Sequence, residues 1–137
     1  MDDLEREIRR RYLDQLDQPE WDTEDPRLDF GSRALPYFVK AFHTETCAER
    51  RLLLVRVIWQ FRDQAVLETL AIALDDAVEE VWKEALDGIV TLGGDAAREI
   101  LTAARGETVN QSAVKLEWID EAVMQVMRRR SGPNMRE

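Results

Sequence analysis

One histidine and one cysteine stand close together in this chain, as His43-x-x-x-Cys47. A thiol at a helix start can be acidified, and a nearby imidazole can take its proton. Helical spacing would put the two side chains on one face, but residues 44–46 read as a break between helices. A small buried Cys47 and a turn-placed His43 are the plainer reading. A zinc site needs more sulfur and nitrogen ligands than these two side chains supply. Gly93-Gly94 follows a helix and precedes no lysine, unlike a phosphate-cradling loop. Glu79, Glu80, Glu84 and Asp87 cover a polar helix face and form no acid–base pair. The residues that could do chemistry therefore point away from an enzyme, a metal or a cofactor, and recognition becomes the question.

The side chains are carried on helices. Residues 76–95 hold the clearest one. Val78, Val81, Ala85, Ile89 and Leu92 recur at helical spacing, with Trp82, Leu86 and Val90 beside them, so the apolar face is wider than one neighbour needs. Asp76 with Glu79 reads as its N-cap, and Gly93-Gly94 as its stop. Before it, the pattern predicts helices over 2–17 (Leu4, Ile8, Tyr12, Leu16), 34–44 (Leu35, Phe38, Phe42), 47–61 (Leu54, Val55, Ile58, Trp59, Phe61) and 63–74 (Val66, Leu67, Leu70, Leu74). After it come 96–105, closed by Gly106, and a long helix from 108 to about 130 with Val114, Trp118, Ile119, Ala122, Val123 and Val126 inward. Thr46 with Glu49, Asp63, Asp95, and Thr108 with Gln111 read as further caps. Residues 17–33 are acid-rich and broken by Pro19 and Pro26. They form a long loop inside a single domain spanning 1–131, with Trp21 and Phe30 as anchors. Residues 132–137 read as a flexible tail. No strand alternation occurs, so the fold class is all-α.

The 137 residues carry a net charge of −9, with 45% apolar and 34% charged residues. That suits one folded domain with a solvated surface. The acidic balance disfavours nucleic acid and fits a basic protein partner or simple solubility. No apolar run reaches membrane-spanning length. The charged start, MDDLEREIRRRYL, lacks a signal segment, and a lone cysteine suits a reducing compartment, so a cytoplasmic location is expected.

The chain also repeats itself. A shift of 31 residues lays 47–61 on 78–92, so that Leu54, Val55, Ile58, Trp59 and Phe61 fall on Ala85, Leu86, Ile89, Val90 and Leu92. A shift of 33 lays Val81, Ala85, Leu86, Ile89 and Val90 on Val114, Trp118, Ile119, Ala122 and Val123. Three helix pairs after a leading helix follow, each able to bury its apolar faces only against its neighbours. Over roughly 34–127, and most clearly in Val81-x-x-x-Ala85-Leu86-x-x-Ile89-x-x-Leu92-Gly93, the chain resembles a short bacterial HEAT-like repeat protein. A tetratricopeptide array is the nearest rival, and its Trp-x-x-Leu-Gly signature is absent. The resemblance implies a short right-handed α-solenoid whose second helices line a concave, protein-binding face.

The repeat register sorts the tryptophans. Trp59 aligns with Val90 and Val123, and Trp118 with Ala85 and Leu54, so both read as core. Trp82 aligns with the polar Arg51 and Lys115. It reads either as a surface anchor, rimmed by Glu79, Lys83, Glu117 and Glu121, or as a residue packed under the leading helix or the 17–33 loop. The function expected is a non-catalytic protein-binding adaptor, with an immunity or antidote protein for a basic toxin as a narrower form. The alternatives are a HEAT-like subunit assisting a lyase-type or glycosylase-type enzyme, and a self-associating structural domain.

Overall fold

The computed structural model describes residues 2–15, 31–108 and 111–135. Leu16, most of the 17–33 loop with Trp21 and Phe30, and the last two residues of the tail lie outside the described residues. Every regular element described is helical, and no strand occurs among them. In chain order the helices are α1 (Asp3–Arg11), α2 (Leu35–Thr44), α3 (Ala48–Gln60), α4 (Val66–Leu74), α5 (Glu79–Leu92), α6 (Gly94–Thr108) and α7 (Ala113–Met135).

The helix α1 is shorter than the apolar spacing predicts. It stops at Arg11, and a tight 3-10 turn follows over Leu13–Gln15. Asp2 caps it by accepting the Glu5 N–H at 2.7 Å, with acids in the first turn and arginines in the last, the charge order the helix dipole favours. Ile8 and Tyr12 are fully buried, and the Tyr12 ring leans on Phe38 at 6.1 Å. Polar ties hold α1 to α2: Tyr37 donates to Asp2 at 2.9 Å, and Lys40 pairs with Glu5 at 2.9 Å.

The helix α5 packs against α3, α4, α6 and α7. Its wide apolar face is the cause: Val81, Trp82, Ala85, Leu86 and Ile89 are all buried, and Gly88 with them. Gly88 sets how near α3 can come. A Cβ there would sit 2.7 Å from Cβ of Trp59, inside the radius that carbon atoms allow. Beyond α5, α2 lies on α3, α6 on α7, and α4 on α6. The helix α5 ends where expected: Gly93 adopts φ +62 and Gly94 φ +89, left-handed backbone that suits glycine.

The remaining caps and breaks depart from expectation. At Asp76 the carboxylate accepts the Val78 N–H at 2.9 Å and two bonds from Arg51, at 2.8 and 3.2 Å. It thus tightens the turn before α5, while Val78 is the N-cap and carries no capping side chain. Thr46 does not cap α3 either: Cys47 is the N-cap and carries no capping side-chain bond, while Glu45 accepts the Cys47 N–H at 3.1 Å and pairs with Arg50 at 2.9 Å. Gly106 does not close α6. Its φ is not positive, so the helix runs on to Thr108, which is buried. Ser112, accepting the Lys115 N–H at 3.2 Å, opens α7 in place of Thr108. The backbone of α7 stays helical to Met135, past the end expected near Arg130.

Candidate functional site

On α5, four-residue spacing sets Glu79, Lys83 and Asp87 along one line and Trp82, Leu86 and Val90 along the next. The facing helix α7 offers Val114, Trp118 and Gln125 outward, with Glu121 beside them. Where the two helices meet, the indoles of Trp82 and Trp118 form an edge-to-face pair, centroids 6.3 Å apart and planes at 79°. Lys83 Nζ lies 4.3 Å from the Trp118 ring centre and pairs with Glu79 at 2.6 Å. Lys115 Nζ lies 5.4 Å from the Trp82 ring centre. The cations on the aromatic faces tie the two helices together.

Trp118 is not the core residue its register predicts, and Trp82 takes the packed of its two expected places. Trp82 is buried, at 6% exposure, and Trp118 is 43% exposed. The register reading treated Trp118 as core because Leu54 and Ala85, at the equivalent positions, are core, and both are fully buried. The reason is positional. The faces of α3 and α5 that carry those two residues are covered by further helices, but no described helix lies beyond α7. Val114, aligned with the fully buried Val81, is 54% exposed for the same reason. Among the described residues Trp82 lies against Trp118, Lys83 and Lys115; most of the 17–33 loop, named as one of its expected covers, lies outside them.

Of the expected rim, the structure brings Glu79, Lys83 and Trp82 together with Trp118. Glu121 lies one turn further along α7, where it accepts a bond from Gln125 at 3.3 Å. Glu117 is exposed beside Trp118 in sequence and makes no bond to the cluster. Between α5 and α7 a shallow groove of about 90 Å³ is floored by Leu86, Val90 and Ala122 and edged by Asp87, Trp118, Glu121 and Gln125. Partial burial pushes the Asp87 carboxyl above its usual range, and the charge of Glu84 adds to it. Neither Asp87 nor Glu121 has a cationic partner among the described residues.

Sequence reasoning treated Glu84 and Asp87 as plain surface acids and passed over Gly88. Glu84 accepts the Trp59 indole N–H at 2.8 Å and pairs with Arg56 at 3.4 Å, which links α5 to α3 and holds Trp59 half-buried. A glycine inside a strongly apolar helical stripe was the signal available for that close approach.

The His43 and Cys47 pair takes no such built form. Cys47 is exposed at the start of α3, against the expectation of a buried thiol, and His43 is exposed on the last turn of α2 with its ring edge-on to Phe42 at 5.6 Å. The short link 45–47 keeps Cys47 outside the helix stack, so nothing covers it. Among the described residues, no three His, Cys, Asp or Glu side chains are grouped to hold a metal ion. No described helix is long and apolar enough to cross a membrane. The α5–α7 surface thus offers aromatic stacking, apolar contact and uncompensated negative charge. Comparison of the chain with protein-family models, with curated proteins and with solved structures finds no match in any of the three.

Proposed function

We propose that α2–α3, α4–α5 and α6–α7 are three stacked pairs of a short right-handed HEAT-like α-solenoid behind a leading helix. On this reading α3, α5 and α7 line the concave face, and that face binds a protein with a basic surface. The lateral contacts of α3 with α5 and of α5 with α7 support the stacking. The observation that carries the binding function is Trp118. It is a large aromatic residue, 43% exposed, bordered by Asp87 and Glu121, which have no cationic partner among the described residues. Tryptophan is enriched among binding anchors, and an acidic rim speeds encounter with a basic partner. The protein then acts as a non-catalytic adaptor or, in the narrower form, as an antidote that occupies a basic toxin.

Affinity capture from the source cells tests this, with wild type beside Trp118→Ala and Glu121→Lys. A basic protein retained by wild type and lost from both variants supports the reading. No protein retained, or equal retention by all three, overturns it.

A second reading draws on the outward side of α7, where Met124 and Met127 are 55% and 50% exposed. Methionine-rich surfaces pack adaptably, so this side suits a second copy of the chain. Sedimentation of wild type against Met124→Glu over a concentration series decides it. Wild type that stays monomeric throughout ends that reading.

A further inference from the structure

The groove between α5 and α7 has a shape and charge pattern narrower than "a basic partner" requires. Its volume of about 90 Å³ is far below the roughly 300–1,000 Å³ of small-molecule pockets. It has room for one long side chain. The floor of Leu86, Val90 and Ala122 is apolar, the wall is the exposed Trp118 indole, and Asp87 and Glu121 stand on opposite helices at the rim. A shallow apolar groove with a carboxylate on each side is complementary to an aliphatic stem that ends in a cation. The competing local cations are already engaged: Lys83 with Glu79 at 2.6 Å, and Arg56 with Glu84 at 3.4 Å. Lys115 lies against Trp82. Among the described residues the negative charge at the mouth is therefore left for an incoming group.

We infer that this groove is a socket for one arginine side chain of the basic partner, its stem on Leu86, Val90 and Trp118 and its guanidinium shared by Asp87 and Glu121. Arginine fits better than lysine for three physical reasons. Its planar fork bonds two carboxylates at once, it stacks on an indole, and it gives up water more readily than an ammonium. The raised Asp87 carboxyl agrees with this. A carboxylate crowded by burial and by Glu84 gains most from an arriving cation. The inference rests on the reading of this face as protein-binding, and its test is separate.

The probes are acetylated, amidated octa-arginine and octa-lysine, titrated at near-physiological salt and followed by tryptophan fluorescence. A parallel titration of Trp118→Phe isolates the signal of that indole. The expected result is that octa-arginine changes the Trp118 signal and binds several-fold tighter than octa-lysine. Asp87→Asn and Glu121→Gln should each weaken binding by about tenfold, the loss of roughly one charge-assisted bond. Glu107→Gln, an exposed acid on α6, should change nothing. The socket is overturned if octa-arginine fails to bind, if lysine binds equally well, or if Asp87→Asn and Glu121→Gln are silent. A basic protein still captured from cells by wild type, and lost on Trp118→Ala, would then leave the broader function standing without the socket.

Discussion

Replacing Gly88 with alanine should destabilise the protein, although alanine is the better helix former. Helix propensity alone favours alanine by about 1 kcal/mol. Against this, the new Cβ would lie 2.7 Å from Cβ and Cγ of Trp59 and 2.9 Å from its Cδ1. Carbon atoms in contact rest about 3.5–4.0 Å apart, so α3 and α5 must separate by roughly 1 Å at this point. The Cβ contact is fixed by the backbone, so no rotamer change of Trp59 removes it. The indole is also held at its far end by Glu84. The cost thus belongs near the upper end of the about 1–3 kcal/mol seen for overpacking. The net effect is a loss of about 2 kcal/mol, or a fall in Tm of roughly 8 °C for a chain of this size. Urea unfolding followed by far-ultraviolet circular dichroism measures it, and the midpoint should fall with the slope unchanged. In a Trp59→Ala background two of the three short contacts vanish, and the penalty should shrink. A Gly88→Ala variant as stable as wild type, or more so, would show that α3 and α5 do not approach as described.

Trp82→Ala should cost about 3–5 kcal/mol, as for a buried aromatic, while Trp118→Ala should cost only about 1 kcal/mol from the lost ring pair; chemical unfolding of both variants checks the order, and the reverse order contradicts the burial of Trp82 and the exposure of Trp118. At Asp76 burial works to raise the carboxyl, but the Arg51 pair and the Val78 N–H outweigh it and hold it below the usual range. A carboxylate lowered in the fold stabilises above its unfolded pKa of about 3.9, and that stability is lost as pH falls through the folded value. Asp76→Asn should therefore lose about 1 kcal/mol at neutral pH, with solvent screening part of the pair, and little near pH 2; a pH series of unfolding midpoints tests this, and equal losses at both ends contradict it. Cys47 should react with a chromogenic disulfide reagent in the native protein at close to the rate in denaturant, and strong protection would place the thiol inside.

The helical class and most of the apolar stripes were legible because they depend on spacing alone. Phe38, Leu54, Leu70 and Ile89 fall inward as their periods predict, and all are fully buried. Gly93 was legible because its left-handed backbone is a local demand. What failed depended on neighbours that spacing does not name. Trp118 and Val114 occupy a core register on the last helix, where no further helix lies over them. Gly106 stands in a sequence that could break or continue, and continuation won because no positive φ is needed there. The expected boxes at Thr46 and Thr108 did not form because the helices start later: Cys47 is the N-cap of α3, and Ser112 accepts the Lys115 N–H at the start of α7. The groove itself arises from two separate helices, and its acids Asp87 and Glu121 lie more than thirty residues apart in sequence, so Asp87 gave no local sign of it.

The account depends most on the exposed, acid-bordered indole of α7 being where another protein sits. Site-specific incorporation of p-benzoylphenylalanine in place of Trp118, followed by irradiation in the source cells, tests that contact directly. The account predicts a cross-link to a basic protein, reduced by Glu121→Lys in the same chain and absent when the probe replaces Ile72 on α4. A probe that captures nothing, or captures the same proteins from both positions, would contradict it.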